Sequence, residues 1–167
     1  MNSQTISKTN EQLMLKCLKL LENWNQTDIP IAALIYNPQT DLIIAGAVNQ
    51  KEIEIDPTEH AEIIAIRKAS KINKSSNLTG LTLITTLEPC QMCAGAILNS
   101  KISKVIFGAW DEKFGAAGSV WDLLRDPLSP SHPEVIGGVL AEDSKQILQD
   151  FFKKIRKNKI NNINISL

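Results

Sequence analysis

Two short segments of the chain carry side chains that could do chemistry together. His60 is followed two residues later by Glu62, and Cys90 and Cys93 form a Cys-x-x-Cys pair after Pro89. One imidazole and two thiolates supply three zinc ligands, and a catalytic zinc site uses three protein ligands and leaves a fourth position open. Because a structural zinc site is normally closed by a fourth ligand, we interpret His60, Cys90 and Cys93 as ligands of a catalytic zinc ion.

Glu62 supplies the proton carrier that such a site needs. A water in the open position of the zinc has a lowered pKa, so hydroxide is available near neutral pH. Glu62 lies in the same predicted helical turn as His60, where it could take the proton from that water and pass it to a departing amine. His-x-Glu followed by Pro-Cys-x-x-Cys is the signature of zinc-dependent nucleobase deaminases. Glu62 is therefore the predicted catalytic residue.

The Cys-x-x-Cys pair has other interpretations when it is taken alone. A redox pair would need a thioredoxin-like context, and a zinc ribbon would need a second Cys-x-x-Cys, which the sequence lacks. The remaining histidine, His132, falls in a Ser/Pro-rich segment and is expected at the surface. Cys17 falls on the apolar stripe of a predicted helix, so we expect it in the core.

The hydrophobic pattern places both chemical segments at helix starts. A helix start favours the thiolate form of a cysteine, because the positive end of the helix dipole stabilises its charge. Asp56 is the predicted N-cap of the helix that carries His60, with Pro57 in its first position and Glu59 completing a capping box. The predicted strands are 31–36, 42–48, 81–87, 104–108 and 135–140. The predicted helices are 10–25, 57–70, one opening at residue 89, a short one near 120, and 142–157.

This order of elements predicts an α/β fold with a mixed sheet of about five strands and helices on its faces. Hydrophobic residues make up 43% of the chain and charged residues 22%, which suits a globular protein with a real core. We expect one domain over 1–157 and a disordered tail over 158–167. The start of the chain has no pattern of a signal peptide, and the apolar stretches are too short to span a bilayer. These features predict a cytoplasmic protein with no membrane partner.

Charge leaves the question of a nucleic-acid partner open. The formal net charge is zero, so the total charge predicts no nucleic-acid partner. Basic residues nevertheless cluster in two places, over 67–74 and over 153–159. Each cluster is either a solvated helix face or part of an RNA-binding surface.

Several segments resemble the bacterial tRNA-specific adenosine deaminases of the cytidine/deoxycytidylate deaminase superfamily. The resemblance runs from about residue 11 to residue 157, and the Gly-Ala-Ala-Gly-Ser stretch over 115–119 points to the tRNA branch. The matching segments are 56–62, 86–96, 107–111, 115–119 and 150–152.

The resemblance implies a cytidine-deaminase-like, three-layer α/β/α fold, a homodimer and one zinc ion per chain. It implies a tRNA anticodon stem-loop as the partner. The implied reaction is the hydrolytic deamination of adenosine to inosine at the wobble position, typically of an arginine tRNA.

The resemblance also implies substrate-binding residues. Asn49 would hydrogen-bond the target nucleoside, and the Ala61 main chain would read the base edge together with Glu62. Asp111 and Lys113 would lie along the path of the RNA. The full set of residues assigned to the substrate is Asn49, Ala61, Glu88, Asp111, Lys113 and Phe151.

Phe151 would stack near the anticodon loop, although one member of the Phe151–Phe152 pair must pack on the core.

The sequence departs from the family pattern at Pro130 and Ser131, where Asn-His is usual. It departs again at Trp110, which is expected either to stack on a base or to cover the neighbouring loop.

Two other functions use the same residues. A deaminase of a free base or nucleoside, such as guanine, cytosine or cytidine, would keep the zinc ligands and Glu62. A non-catalytic RNA-binding subunit would keep zinc for structure but would be expected to lose Glu62, so the presence of that carboxylate argues against it.

Overall fold

A computed structural model describes residues 8–164 and shows one five-stranded sheet with helices on both faces. The strands are β1 Ala32–Asn37, β2 Leu42–Val48, β3 Thr82–Leu87, β4 Lys104–Ala109 and β5 Glu134–Ile136. The α-helices are α1 Asn10–Lys19, α2 Ala61–Asn73, α3 Gln91–Asn99 and α4 Ala141–Asn164. Two short 3₁₀ turns cover Leu20–Asn23 and Leu123–Arg125.

The sheet is mixed, with the strand order β2-β1-β3-β4-β5. β1 pairs antiparallel with β2 and β3, whereas β3, β4 and β5 run parallel. The carboxyl ends of β3 and β4 therefore meet at one edge of the sheet, and α3 and the loop after β4 begin there. This arrangement confirms the predicted α/β fold and its five-stranded mixed sheet.

Two apolar layers cover the two faces of the sheet. Successive residues of a strand point to opposite faces, so Ala33 and Ile35 of β1 join the cluster under α2 and α3, while Leu34 joins the other cluster. That second cluster contains Met14 and Cys17 of α1 and the apolar side of α4. The result is the three-layer α/β/α arrangement that the sequence predicts.

Cys17 is a core residue, as predicted. Its side chain is fully buried, and its thiol donates a hydrogen bond to the Ala32 carbonyl at 3.3 Å. Burial raises the pKa of this thiol far above its ordinary value. Cys17 is therefore a packing residue on the face of the sheet that α1 covers.

The predicted start of α2 is wrong. The Asp56 carboxylate accepts hydrogen bonds from the backbone N–H and the hydroxyl of Thr58, which closes a tight turn instead of capping a helix. Glu59 forms an ion pair with Arg67 rather than a capping box. The helix begins at Ala61, so His60 takes the cap position directly before it.

The last elements also differ from the prediction. β5 ends at Ile136 rather than at residue 140, because the backbone leaves the extended conformation at Gly138, where φ is +81°. The last helix continues to Asn164, past its predicted end near 157. The predicted disorder over 158–167 stays a prediction. Residues 165–167 of the predicted tail lie outside the described residues.

The first helix and the short helical stretch near residue 120 are shorter than predicted. α1 ends at Lys19 and continues only as a 3₁₀ turn to Asn23, and the stretch near 120 is the 3₁₀ turn at Leu123–Arg125. Within residues 8–164, none of the helices combines the length and the apolar character needed to cross a bilayer.

Close contact between β4 and its neighbours makes Gly108 a test of the fold. A Cβ atom there would collide with the Ser144 hydroxyl and lie 2.6 Å from the Thr86 carbonyl oxygen. Because the backbone carbonyl cannot turn away, we expect Gly108→Ala to destabilise the protein by about 1–3 kcal/mol. In a thermal melt, each kcal/mol of lost unfolding free energy should lower the midpoint temperature by about 2–4 °C. An unchanged midpoint would contradict this account of the packing.

Candidate metal centre and its surroundings

Three ligand atoms from two helix starts lie together at one edge of the sheet. His60 directly precedes α2, Cys90 directly precedes α3, and Cys93 lies in the first turn of α3. The His60 Nδ1 atom is 3.6 Å from the Cys90 Sγ atom and 3.5 Å from the Cys93 Sγ atom. The ligand atoms of all three residues lie within 4.8 Å of one another, so they could hold one metal ion.

These distances fit zinc. Zn–S bonds of about 2.3 Å and Zn–N bonds of about 2.0–2.1 Å, set at a tetrahedral angle, separate the nitrogen and sulfur atoms by about 3.5 Å. Among residues 8–164, no further His, Cys, Asp or Glu joins the group that could hold the ion. His132, the other histidine, is exposed, as the sequence predicts. Three ligands without a fourth are the arrangement of a catalytic site.

In the metal-free protein the pKa values of Cys90 and Cys93 shift in opposite directions. A hydrogen bond from Cys93 lowers the pKa of Cys90 to about 4, with a further contribution from the His60 ring. That same hydrogen bond, together with burial, raises the pKa of the Cys93 thiol far above its ordinary value. The hydrogen bond to Cys90 also raises the pKa of His60. Because a metal ligand must be a thiolate, binding of an ion would release the Cys93 proton.

Glu62 lies beside this group in the first turn of α2. Its side chain is buried, with 4% of the residue exposed, and it interacts with the Cys93 thiol. Burial raises the pKa of Glu62 to about 7, because the ionised carboxylate loses its hydration. A carboxyl group with such a pKa can both accept and release a proton near neutral pH.

Two of the predicted substrate residues lie near the ligand group. Asn49, immediately after β2, is buried at 4% exposure, and its backbone N–H donates to the Ile31 carbonyl. The next residue, Gln50, donates to the Glu59 carbonyl at 3.0 Å, which holds this segment beside the residues that lead into His60. Ala61, the first residue of α2, is fully buried. Their roles toward a substrate stay predictions.

The loop after β4 packs against the segment that carries Cys90. Gly115 pairs with Cys90 in an isolated antiparallel bridge, and the Ala116 N–H donates to the Pro89 carbonyl at 2.8 Å. Asp111 and Lys113 stand in the first turn of this loop. The Asp111 Oδ1 atom accepts from the backbone N–H groups of Lys113 and Phe114 at 2.9 and 3.1 Å, and the Lys113 side chain is exposed.

The structure shows which aromatic residues of the two segments pack against the protein. Phe151 is the packing member of its pair, with 7% exposure and an edge contact to Trp24 at 5.7 Å between ring centroids. Phe152 is 42% exposed. The Trp110 ring meets Phe107 edge-on at 4.7 Å and lies over Gly118, but 49% of the residue is exposed, so stacking on a base stays a prediction. Phe151 is buried, and its predicted stacking near the anticodon loop stays a prediction.

The basic clusters are exposed on the two helices that carry them. Arg67 and Lys68 are exposed on α2, and the exposed basic residues of α4 include Lys153 and Lys154. Ser131, which stands at a position where the family pattern differs, donates a hydrogen bond to the Leu98 carbonyl at the end of α3. This hydroxyl therefore anchors the loop before β5.

Asp28 has a role that the sequence did not reveal. Its fully buried carboxylate accepts from the backbone N–H groups of Glu52 and Ile53 at 2.7 and 3.4 Å. It therefore holds the turn that leads toward His60. The partners are 24 and 25 residues away in sequence, so no local pattern around Asp28 could have indicated this contact.

A zinc-fitting group of one histidine and two cysteines, beside a buried glutamate and at the edge of a mixed α/β sheet, defines a nucleobase deaminase of the cytidine deaminase class. The sequence profile of the "cytidine and deoxycytidylate deaminase zinc-binding region" family matches residues 7–109, which include all three ligand residues.

Comparisons with individual proteins narrow this class. The chain is 41% identical to a Haemophilus influenzae protein named tRNA-specific adenosine deaminase, over 92% of this chain and 88% of that one. It is 42% identical to a Bacillus subtilis protein of the same name, over 79% and 81%. A solved structure from a study of A-to-I editing by tRNA:A34 deaminases shares 32% identity with a TM-score of 0.72, covering 80% of this chain and 94% of that one. The chain belongs to the tRNA-specific adenosine deaminase family.

The unequal pKa values of the cysteines predict selective alkylation of the metal-free protein. With its pKa near 4, Cys90 is a thiolate at pH 6, whereas the raised pKa of Cys93 keeps that thiol protonated. Because the thiolate is the nucleophile, we expect iodoacetamide at pH 6 to modify Cys90 first and to spare the buried Cys17. Peptide mass spectrometry after chelation would identify the modified residue. Faster modification of Cys93 or Cys17 would contradict the assignment.

Proposed function

We propose that this protein hydrolyses adenosine to inosine at the wobble position of a tRNA anticodon, typically of an arginine tRNA. The observation that carries the chemistry is the three-ligand group of His60, Cys90 and Cys93 with Glu62 buried beside it. The relatives named tRNA-specific adenosine deaminases support the choice of substrate.

We assign one zinc ion per chain to the three ligands. His60 would bind through Nδ1, the ring atom that lies near both sulfur atoms. When bound by three protein ligands, zinc supplies Lewis-acid activation of water. The helix starts under Cys90 and Cys93 stabilise the thiolates that the ion requires.

Side chains and main-chain groups of the protein would transfer the proton and bind the base. Glu62 is placed to accept a proton from the attacking water and to deliver it to the amino group of the base, which then leaves as ammonia, so one carboxyl group serves both halves of the reaction. Asn49 and the Ala61 main chain would hold the nucleoside and the base edge. Glu62 is 4% exposed, so its carboxyl group is largely shielded from bulk solvent.

A tRNA anticodon loop is a suitable substrate for a site at the edge of a sheet. Anticodon bases are unpaired, so turning one of them into a pocket costs less than it would in a duplex. Asp111 and Lys113, in the loop that packs against Cys90, would lie along the RNA. The exposed lysines of α2 and α4 offer further contacts with phosphates.

The assembly and the extent of the catalytic unit follow from the same proposal. We propose a homodimer, with residues 1–157 forming the catalytic domain, that acts in the cytoplasm where a tRNA substrate would be met. Light scattering of the zinc-loaded protein would give the mass of the assembly.

Deamination of a defined RNA tests the substrate. We expect the zinc-loaded protein to convert the wobble adenosine of an arginine tRNA to inosine, which sequencing reports as guanosine. The same preparation should leave free guanine, cytosine and cytidine unchanged, and chelated protein should be inactive until zinc is restored. Turnover of a free base or nucleoside without inosine in the tRNA would instead assign the protein to small-molecule deamination.

Substitution of Glu62 tests its role as the proton carrier. We expect Glu62→Gln to keep one zinc ion per chain by metal analysis, because the three ligands remain. Turnover should fall by about 100-fold or more, since the amide cannot carry the proton. Binding of the tRNA should be little changed. Full activity in this variant would remove Glu62 from the mechanism, and loss of zinc would show that the carboxylate supports the metal instead.

A further inference from the structure

We infer that Glu88 is a positioning residue for the substrate loop rather than a residue that contacts the substrate. In this view the Glu88 carboxylate holds the loop 111–119 against the Pro89–Cys90 segment and, through that loop, sets the affinity for substrate. The inference rests on the proposed function only for the identity of the RNA.

The Glu88 carboxylate has no acceptor capacity left for a substrate. The residue is 2% exposed, and its Oε1 atom accepts from the backbone N–H groups of Ala117 and Ser119 at 2.9 and 3.0 Å. Its Oε2 atom accepts from the Asp111 N–H at 3.0 Å and from the Ser119 hydroxyl. Four donors match the roughly four acceptor positions of a carboxylate.

The donors come from both ends of the same loop. Asp111 lies at its start, and Ala117 and Ser119 lie at its end, so one carboxylate ties the two ends together. Hydrogen bonds to a charged acceptor are stronger than those between neutral groups, and a buried N–H that loses its acceptor is costly. The conformation of the loop therefore depends on Glu88.

The loop is in turn attached to the metal centre. Its middle residue, Gly115, pairs with Cys90, and the next N–H donates to the Pro89 carbonyl. A Cβ atom at Gly115 would collide with the Glu88 carboxylate and lie 2.5 Å from the Asp111 carbonyl oxygen. The absence of a side chain at Gly115 thus lets the carboxylate sit inside the loop, directly behind the segment that carries Cys90.

This arrangement gives Glu88 an indirect effect on the substrate. Asp111 and Lys113, the two residues predicted along the RNA path, occupy the turn that begins at the Asp111 N–H bound by Glu88. Loosening that end would move both side chains. The ligand group would stay in place, because α2 and α3 hold His60, Cys90 and Cys93 independently of the Asp111 end of the loop. The expected consequence is weaker substrate binding with the chemical step retained.

Two variants disturb the contact in different ways, and each has a matched control. Glu88→Gln replaces one oxygen with an NH₂ group, which cannot accept, so at least one loop N–H loses its partner. Gly115→Ala pushes the loop away by steric contact. The controls are Glu134→Gln, whose side chain is 62% exposed, and Gly95→Ala, where an added Cβ meets no atom within 4 Å.

The zinc-loaded proteins would be compared by amide hydrogen exchange and by kinetics with an anticodon stem-loop RNA. We expect exchange at Asp111, Ala117 and Ser119 to rise about tenfold or more in Glu88→Gln and Gly115→Ala, with α1 and β1 unaffected. KM for the RNA should rise about tenfold while kcat stays within about twofold. Both controls should behave as the unmodified protein.

Three results would overturn the inference. Unchanged loop exchange would show that Glu88 does not hold the loop, and a fall in kcat at constant KM would place Glu88 in the chemistry. A uniform rise in exchange over the whole sheet would mean that Glu88 merely stabilises the fold. If the unmodified protein does not deaminate the RNA, the proposed function fails, while the exchange comparison still decides whether Glu88 positions the loop.

Discussion

The structure depends on the convergence of two helix starts on one point. His60 stands directly before α2 and the Cys90–Cys93 pair opens α3, so three ligand atoms lie within 4.8 Å although they come from distant parts of the chain. The sheet makes this convergence possible, because α2 and α3 pack on the same face. The small residues Ala65 and Ala94, both fully buried, belong to the apolar cluster between them.

The same point organises the polar groups around it. Glu62 is buried two residues after His60, the turn held by Asp28 leads into His60, and the loop held by Glu88 lies against Cys90. Two buried carboxylates, Asp28 and Glu88, thus fix the irregular segments on either side of the ligand group. Both accept hydrogen bonds mainly from backbone N–H groups. Glu62 differs, because its burial raises its pKa and leaves it suited to proton transfer.

The sequence predicted which residues lie together better than it predicted some element boundaries. The structure brings His60, Cys90 and Cys93 into one group, as their short spacing and unusual side chains indicated, and the alternation of apolar residues indicated the strands. The start of α2 was mispredicted because Asp56 closes a turn with Thr58, a choice that the capping pattern of the sequence does not distinguish from a helix cap. The roles of Asp28 and Glu88 depend on partners more than 20 residues away, which no window of sequence contains. The choice between Phe151 and Phe152 as the packing residue required the actual rotation of α4.

The composition of the ligand set has a consequence for how a polyanion would be attracted. Two thiolates offset the two positive charges of a zinc ion, and a neutral imidazole adds none, so the filled centre would carry almost no net charge. Such a centre exerts little long-range force on phosphates. Electrostatic steering of RNA would then come from exposed basic side chains, such as Lys113 and those of α2 and α4, rather than from the metal centre itself. Speed of encounter and speed of chemistry are thereby set by separate groups, and the former should weaken as added salt shortens the range of the surface charges.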